Sequence, residues 1–136
     1  MKIQLKQVEG NTFLAKGESN HWTTIDTSSK DGGANAASGP MEMVLMALAG
    51  CTAMDVVSIL QKKRASMTRL EINVDADRAE DYPKVFTKIH VHYMVHGKVS
   101  KADAEHAVSL SQDKYCSVAG MLKKVAELTY DIQLDD

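Results

Sequence analysis

A chain of 136 residues is the size of one compact domain and too short for two good cores. Apolar residues make up 44% and charged ones 25%, as in an ordinary globular protein. The formal net charge of −2 gives no basic field to attract nucleic acid or anionic lipid, so neither is expected as a partner.

The opening residues Ile3 to Val8 alternate apolar and polar, as a strand does and a secretory signal does not. Thr12 to Lys16 alternates again after the turn Glu9-Gly10-Asn11, which makes the pair a hairpin, and His21 to Asp26 is rich enough in β-formers for a third strand. Thr27 to Gly39 is small, polar and aperiodic, a connection long enough for a functional loop.

Ser38-Gly39-Pro40 starts a helix, with Pro40 in the first turn and Glu42 adding favourable negative charge there. The helix is expected to run to Lys62 or Arg64, with Met41, Leu45, Leu48, Thr52, Asp55 and Ile59 along one stripe. Met43, Met46, Ala47, Ala49, Ala53, Met54 and Val57 make its other faces apolar as well, so it is read as a buried helix that a partner subunit helps to enclose. Its length and apolarity would suit a membrane, but Glu42 and Asp55 would be costly there, and no membrane is expected.

Leu70 to Asp75 is an alternating strand. Val85 to Val95 is another, with Val85, Thr87, Ile89, Val91, Tyr93 and Val95 on one face and Phe86, Lys88, His90, His92, Met94 and His96 on the other. A second helix begins at Ser100, a third runs from Ser117 to about Glu127, and Thr129 to Leu134 is a final strand. The order of elements is that of an α+β domain over residues 1–136.

Two cysteines, Cys51 and Cys116, are expected as reduced thiols in the cytoplasm. Cys116 precedes Ser117, which is read as the N-cap of the third helix, and a sulfur there would gain thiolate character from the free N–H groups. An inert buried thiol is the equal alternative. Cys51 follows Gly50 in mid-helix, a glycine whose cost of about 1 kcal/mol implies a close approach to the backbone. Asp55, one turn on, reads either as a buried group paired with a lysine or hydroxyl or as a catalytic group; unbalanced, it would raise the thiol pKa. His90, His92 and His96 share a strand face without the spacing of a cysteine–histidine zinc site, and a solvated face is the preferred reading. No metal and no cofactor is expected.

The segment Ser38-Gly39-Pro40-Met41-Glu42-Met43-Val44-Leu45-Met46-Ala47-Leu48-Ala49-Gly50-Cys51 resembles the central-helix motif of the OsmC/Ohr family, and Tyr115-Cys116-Ser117-Val118-Ala119 resembles its second cysteine motif. Thr52-Ala53-Met54-Asp55-Val56-Val57 after Gly50-Cys51 looks most like the YhfA-type subgroup. The resemblance covers nearly the whole chain. It implies antiparallel sheets wrapped around two central helices in an intertwined homodimer with active sites at the subunit interface. It also implies a thiol peroxidase: Cys51 attacks an organic hydroperoxide, Cys116 resolves the sulfenic acid as a disulfide, and an external dithiol reductant restores both thiols. Glu42 is the candidate for the catalytic glutamate of that family, displaced by one position because Met41 follows Pro40. The arginine of the peroxidase loop has no counterpart, since Arg64, Arg69 and Arg78 follow the helix and the loop offers only Lys30. The alternative is a non-catalytic dimer binding a small apolar or thiol-reactive ligand, and a third reading is a zinc site of both cysteines and a histidine.

Overall fold

The computed structural model describes residues 1–136, which form two compact units, 1–46 and 47–136. In the first, β1 (Gln4–Glu9), β2 (Thr12–Lys16) and β3 (Trp22–Ile25) form an antiparallel sheet in chain order. Gly10 makes the first turn with φ 53°, a left-handed conformation suited to glycine. The apolar side chains of β1 are not covered within the chain: Leu5 is 56% and Val8 60% exposed.

Asp26 organises the long loop. Its carboxylate accepts N–H bonds from Thr27 (2.7 Å), Ala34 (3.2 Å) and Ala36 (3.0 Å) and a hydroxyl bond from Thr12 (3.1 Å). These donors, that of Ala36 foremost, hold its pKa below 3.8. Gly33 passes so close that a Cβ there would lie 2.7 Å from Asp26 Oδ1 and closer still to the Thr27 carbonyl. The loop is thus fixed by one buried carboxylate.

Helix α1 spans Pro40–Lys62, with Pro40 at its first position as the sequence predicts. Glu42 accepts the Gly39 N–H at 2.8 Å, the carboxylate half of a capping box. The buried residues of α1 are Leu48, Thr52, Val56 and Leu60, a strict i, i+4 line. The expected stripe agrees at Leu48 and Thr52; Met41 and Leu45 are only half-buried, and beyond Thr52 the line passes through Val56 and Leu60 rather than Asp55 and Ile59. The helix is long and apolar enough to cross a bilayer. Thr52 and Asp55 nevertheless bond to Tyr93 and Ser111 of the second unit.

In that unit β4 (Ser66–Arg78) and β5 (Phe86–Lys98) are antiparallel, and β6 (Glu127–Asp135) lies parallel to β5 on its other side. The sheet is therefore mixed, which corrects the expectation of antiparallel sheets. The segment between β5 and β6 is a helical crossover that returns the chain to the end where β5 began, and such a connection makes a parallel pair. Ile89, Val91, Tyr93 and Val95 of β5 are buried. The expected alternation fails at the start of the strand, where Phe86 is buried and Val85 and Thr87 are exposed. A register shift opposite Asp77 and Arg78 inserts a residue and swaps the faces.

Ser100 caps α2 (Lys101–Leu110) through a bond from the Asp103 N–H. A π-turn, Ser111–Tyr115, leads into the short α3 (Ser117–Leu122). Helix α3 stops earlier than predicted, because the N–H groups of Lys124 and Val125 turn to carbonyls three residues back.

Candidate active site

Three elements of the second unit bring Cys51, Asp55 and Cys116 together. Cys51 and Asp55 stand one turn apart on α1, and Cys116 lies between the π-turn and α3. One atom from each, the two sulfurs and a carboxylate oxygen, lie within 4.8 Å of one another. Both cysteines are free thiols, Cys51 half-buried and Cys116 buried. The third group beside them is a carboxylate, not the histidine of the zinc reading.

The π-turn explains the placement of Cys116. Its N–H bonds to the Ser111 carbonyl five residues back (2.8 Å), and the widened turn carries Ser111 and Gln112 inward. The N-cap of α3 is Cys116 itself, one residue before the predicted Ser117, and its sulfur accepts the Ala119 N–H at 3.4 Å.

That bond does not make the sulfur a thiolate, which corrects the expected lowering of its pKa. Burial pushes the Cys116 thiol up to about 11, and the Cys51 sulfur and the Asp55 charge add to the rise. The Ala119 N–H opposes them and is outweighed. At neutral pH the Cys116 sulfur is therefore held as the thiol.

Asp55 ends a hydrogen-bonded row that sequence reasoning missed. Gln112 Nε2 donates to the Tyr93 hydroxyl (2.6 Å), Tyr93 bonds to Thr52 Oγ1 (2.6 Å), Thr52 to Ser111 Oγ (2.8 Å), and Ser111 donates to Asp55 (2.9 Å). With each hydroxyl donating to the next, every proton in the row points toward the carboxylate. Burial raises the Tyr93 pKa, so that hydroxyl keeps its proton. The partners come from α1, β5 and the π-turn, and only Thr52, a polar residue on an apolar stripe, was a visible signal. Asp55 is half-buried, and its bond from Ser111 is the hydroxyl pairing offered by one of the two sequence readings. It also borders a cavity of about 350 Å³ lined by Lys62, Lys63, His106 and Tyr115.

The other candidates make local bonds. Glu42 is engaged in capping α1. Arg69 pairs with Glu71 at 2.7 Å, and Arg78 donates to the Lys84 carbonyl. Gly50 has open space on its Cβ side, with nothing within 4 Å beyond its own helix backbone and chain neighbours, so the expected close approach is not made by this chain.

The profile of the OsmC-like protein family matches residues 32–131, a span that contains both cysteine motifs. The chain belongs to this family. It is 44% identical over 135 residues to the protein YhfA of Escherichia coli K12, covering 98% of each chain. A crystal structure of a hypothetical protein from Aquifex aeolicus VF5 is 31% identical with a TM-score of 0.83, over 99% of this chain and 97% of that one. The OsmC-like fold extends to an organic hydroperoxide resistance protein OsmC from Legionella pneumophila at 12% identity, with a TM-score of 0.73 over 98% and 97% of the two chains.

Proposed function

We propose that this OsmC-like protein reduces organic hydroperoxides or related oxidants with the Cys51–Cys116 pair, as part of a defence against oxidative stress. The observation that carries the reading is the two free sulfurs beside one carboxylate, within 4.8 Å. The Legionella relative, named for organic hydroperoxide resistance, shares the fold and supports it.

Cys51, the more accessible sulfur, attacks the terminal peroxide oxygen. The S–O bond forms as the O–O bond breaks, and the alkoxide leaves as the alcohol after taking a proton. Cys116 then attacks the Cys51 sulfenic sulfur, the S–S bond forms, and hydroxide leaves as water. Asp55 is placed to receive the proton that Cys116 loses at this step, with Ser111 holding the carboxylate in position. An external dithiol reduces the disulfide and restores both thiols, a cycle suited to the reducing cytoplasm.

Cumene hydroperoxide added to reduced protein should consume two thiols per chain and yield a Cys51–Cys116 disulfide on mass mapping. Cys116→Ser should stop at a Cys51 sulfenic acid that dimedone traps. Reaction of Cys51→Ser at the wild-type rate overturns the reading.

The protein acts as a homodimer built on α1. Met54 is 75% and Met46 57% exposed, and Gly50 between them leaves open space, so this face of a largely apolar helix suits a second copy. Light scattering should give twice the chain mass, and Met54→Lys should give a monomer. The same open face favours a second reading, a non-catalytic dimer that holds a small apolar or thiol-reactive ligand at the interface. Thiols that survive peroxide, with a ligand retained in native mass spectrometry, would select it.

A further inference from the structure

The face of β5 opposite Tyr93 carries a second cluster that the thiol chemistry does not use. His90 and His92 stand two residues apart on one side of the strand. The parallel register with β6 sets Thr129 beside His90 and Asp131 beside His92, while β4 sets Asp75 opposite His90. His90 Nε2 lies 3.0 Å and His92 Nδ1 2.9 Å from the same atom, Asp131 Oδ2. The remaining ring nitrogens are held too: His90 Nδ1 by Thr129 Oγ1 at 2.6 Å and His92 Nε2 by Asp75 Oδ2 at 3.2 Å.

We propose that His90 Nε2, His92 Nδ1 and Asp131 bind a zinc-class divalent cation on this open face of the sheet. Two imidazoles and one carboxylate are a donor set that zinc, nickel and copper accept. The outer partners are those a metal-binding histidine needs: a hydroxyl on one ring and a carboxylate on the other fix the rings so that the two inner nitrogens converge. The three ligand atoms lie within 4.8 Å of one another, and edges of a tetrahedral site with bonds of about 2 Å are about 3.3 Å, so the site needs only a slight opening. The side chains are 34%, 39% and 56% exposed, which leaves room for water on the remaining positions.

The charge of the surroundings selects a cation. The adjoining hollow of about 220 Å³ is lined by Asp75, Asp77 and Glu127 against a single Lys88. A metal at His92 Nδ1 would take the place of the ring's contact with Asp131, and the Nε2 contact with Asp75 would stay to orient the ring. His96, next on the same face, lies by Glu71 and outside the cluster.

The test separates this site from the thiols. Zn²⁺ titrated into the full-length Cys51→Ser/Cys116→Ser protein should bind one ion per chain by calorimetry and elemental analysis. His90→Gln and His92→Gln should each weaken it at least about tenfold, and Asp75→Asn, which only orients His92, about tenfold. Co²⁺ in the same double variant should show weak nitrogen- and oxygen-ligand bands without a sulfur charge-transfer band. Circular dichroism checks that the glutamine variants are folded, and Asp131→Asn gives an independent variant from another strand. No stoichiometric binding in the double variant overturns the proposal, as does affinity unchanged in folded His90→Gln, His92→Gln and Asp131→Asn.

Discussion

Tyr93 and His92 are neighbours on β5 and face opposite ways into two kinds of polar chemistry. On the Tyr93 side, the hydroxyls of Tyr93, Thr52 and Ser111 satisfy one another in a closed interior, and burial, with a smaller push from a carboxylate, keeps Cys116 protonated. On the His92 side, imidazoles and carboxylates meet in the open, where water screens their charges. The contrast shows how burial sets the worth of a polar contact. A group removed from the closed side strands its partner, and the same removal on the open side hands the partner to water.

The largest effect should come from Cys51→Ser, which removes the attacking sulfur and should lower the rate of peroxide consumption at least about a hundredfold, read as loss of thiol titre with time. His92→Ala in the same assay should leave the rate at the wild-type value; a matching loss would show that the two faces are not independent. Next in size is Tyr93→Phe, which leaves Gln112 Nε2 and Thr52 with one partner fewer and should cost about 1 to 3 kcal/mol in urea unfolding.

Alkaline pH gives a subtler test. The Cys116 pKa is raised in the folded protein, from 9.0 to about 11, so between these values the folded state holds a proton that the unfolded state has lost. Stability from this group is therefore complete below pH 9 and falls as pH rises toward 11, by up to about 2 kcal/mol. Denaturation midpoints across this range should show the decline in wild type and a flatter curve in Cys116→Ala. The smallest effect belongs to the open face, where His90→Ala should change metal-free stability by no more than about 0.5 kcal/mol in the same unfolding experiment.

The contrast also marks what the sequence could disclose. Local signals placed α1 well: Ser38-Gly39-Pro40 starts it, and basic residues close it at Lys62. The alternation of β5 from Ile89 to Val95 identified its buried face, and two cysteine motifs named both sulfurs. The rest depends on partners distant along the chain. The bulge that turns Phe86 inward is defined only against β4, and the parallel setting of β6 only against β5. Asp55 was noticed, yet its meaning depends on Ser111, which a π-turn delivers. The histidines drew attention as a solvated face because Asp131 and Thr129 are invisible to them until β6 docks.

The placement of β6 also has a consequence during synthesis. Its register with β5 runs from Glu127 to Asp135, so the pairing edge of β5 stays bare until these late residues have left the ribosome. A chain stopped before Glu127 would present a long, largely apolar strand with its backbone unpaired, an invitation to other nascent chains. Stop codons placed after Ala126 should therefore shift the product from the soluble fraction into aggregates, even though every residue of the thiol site has already been made.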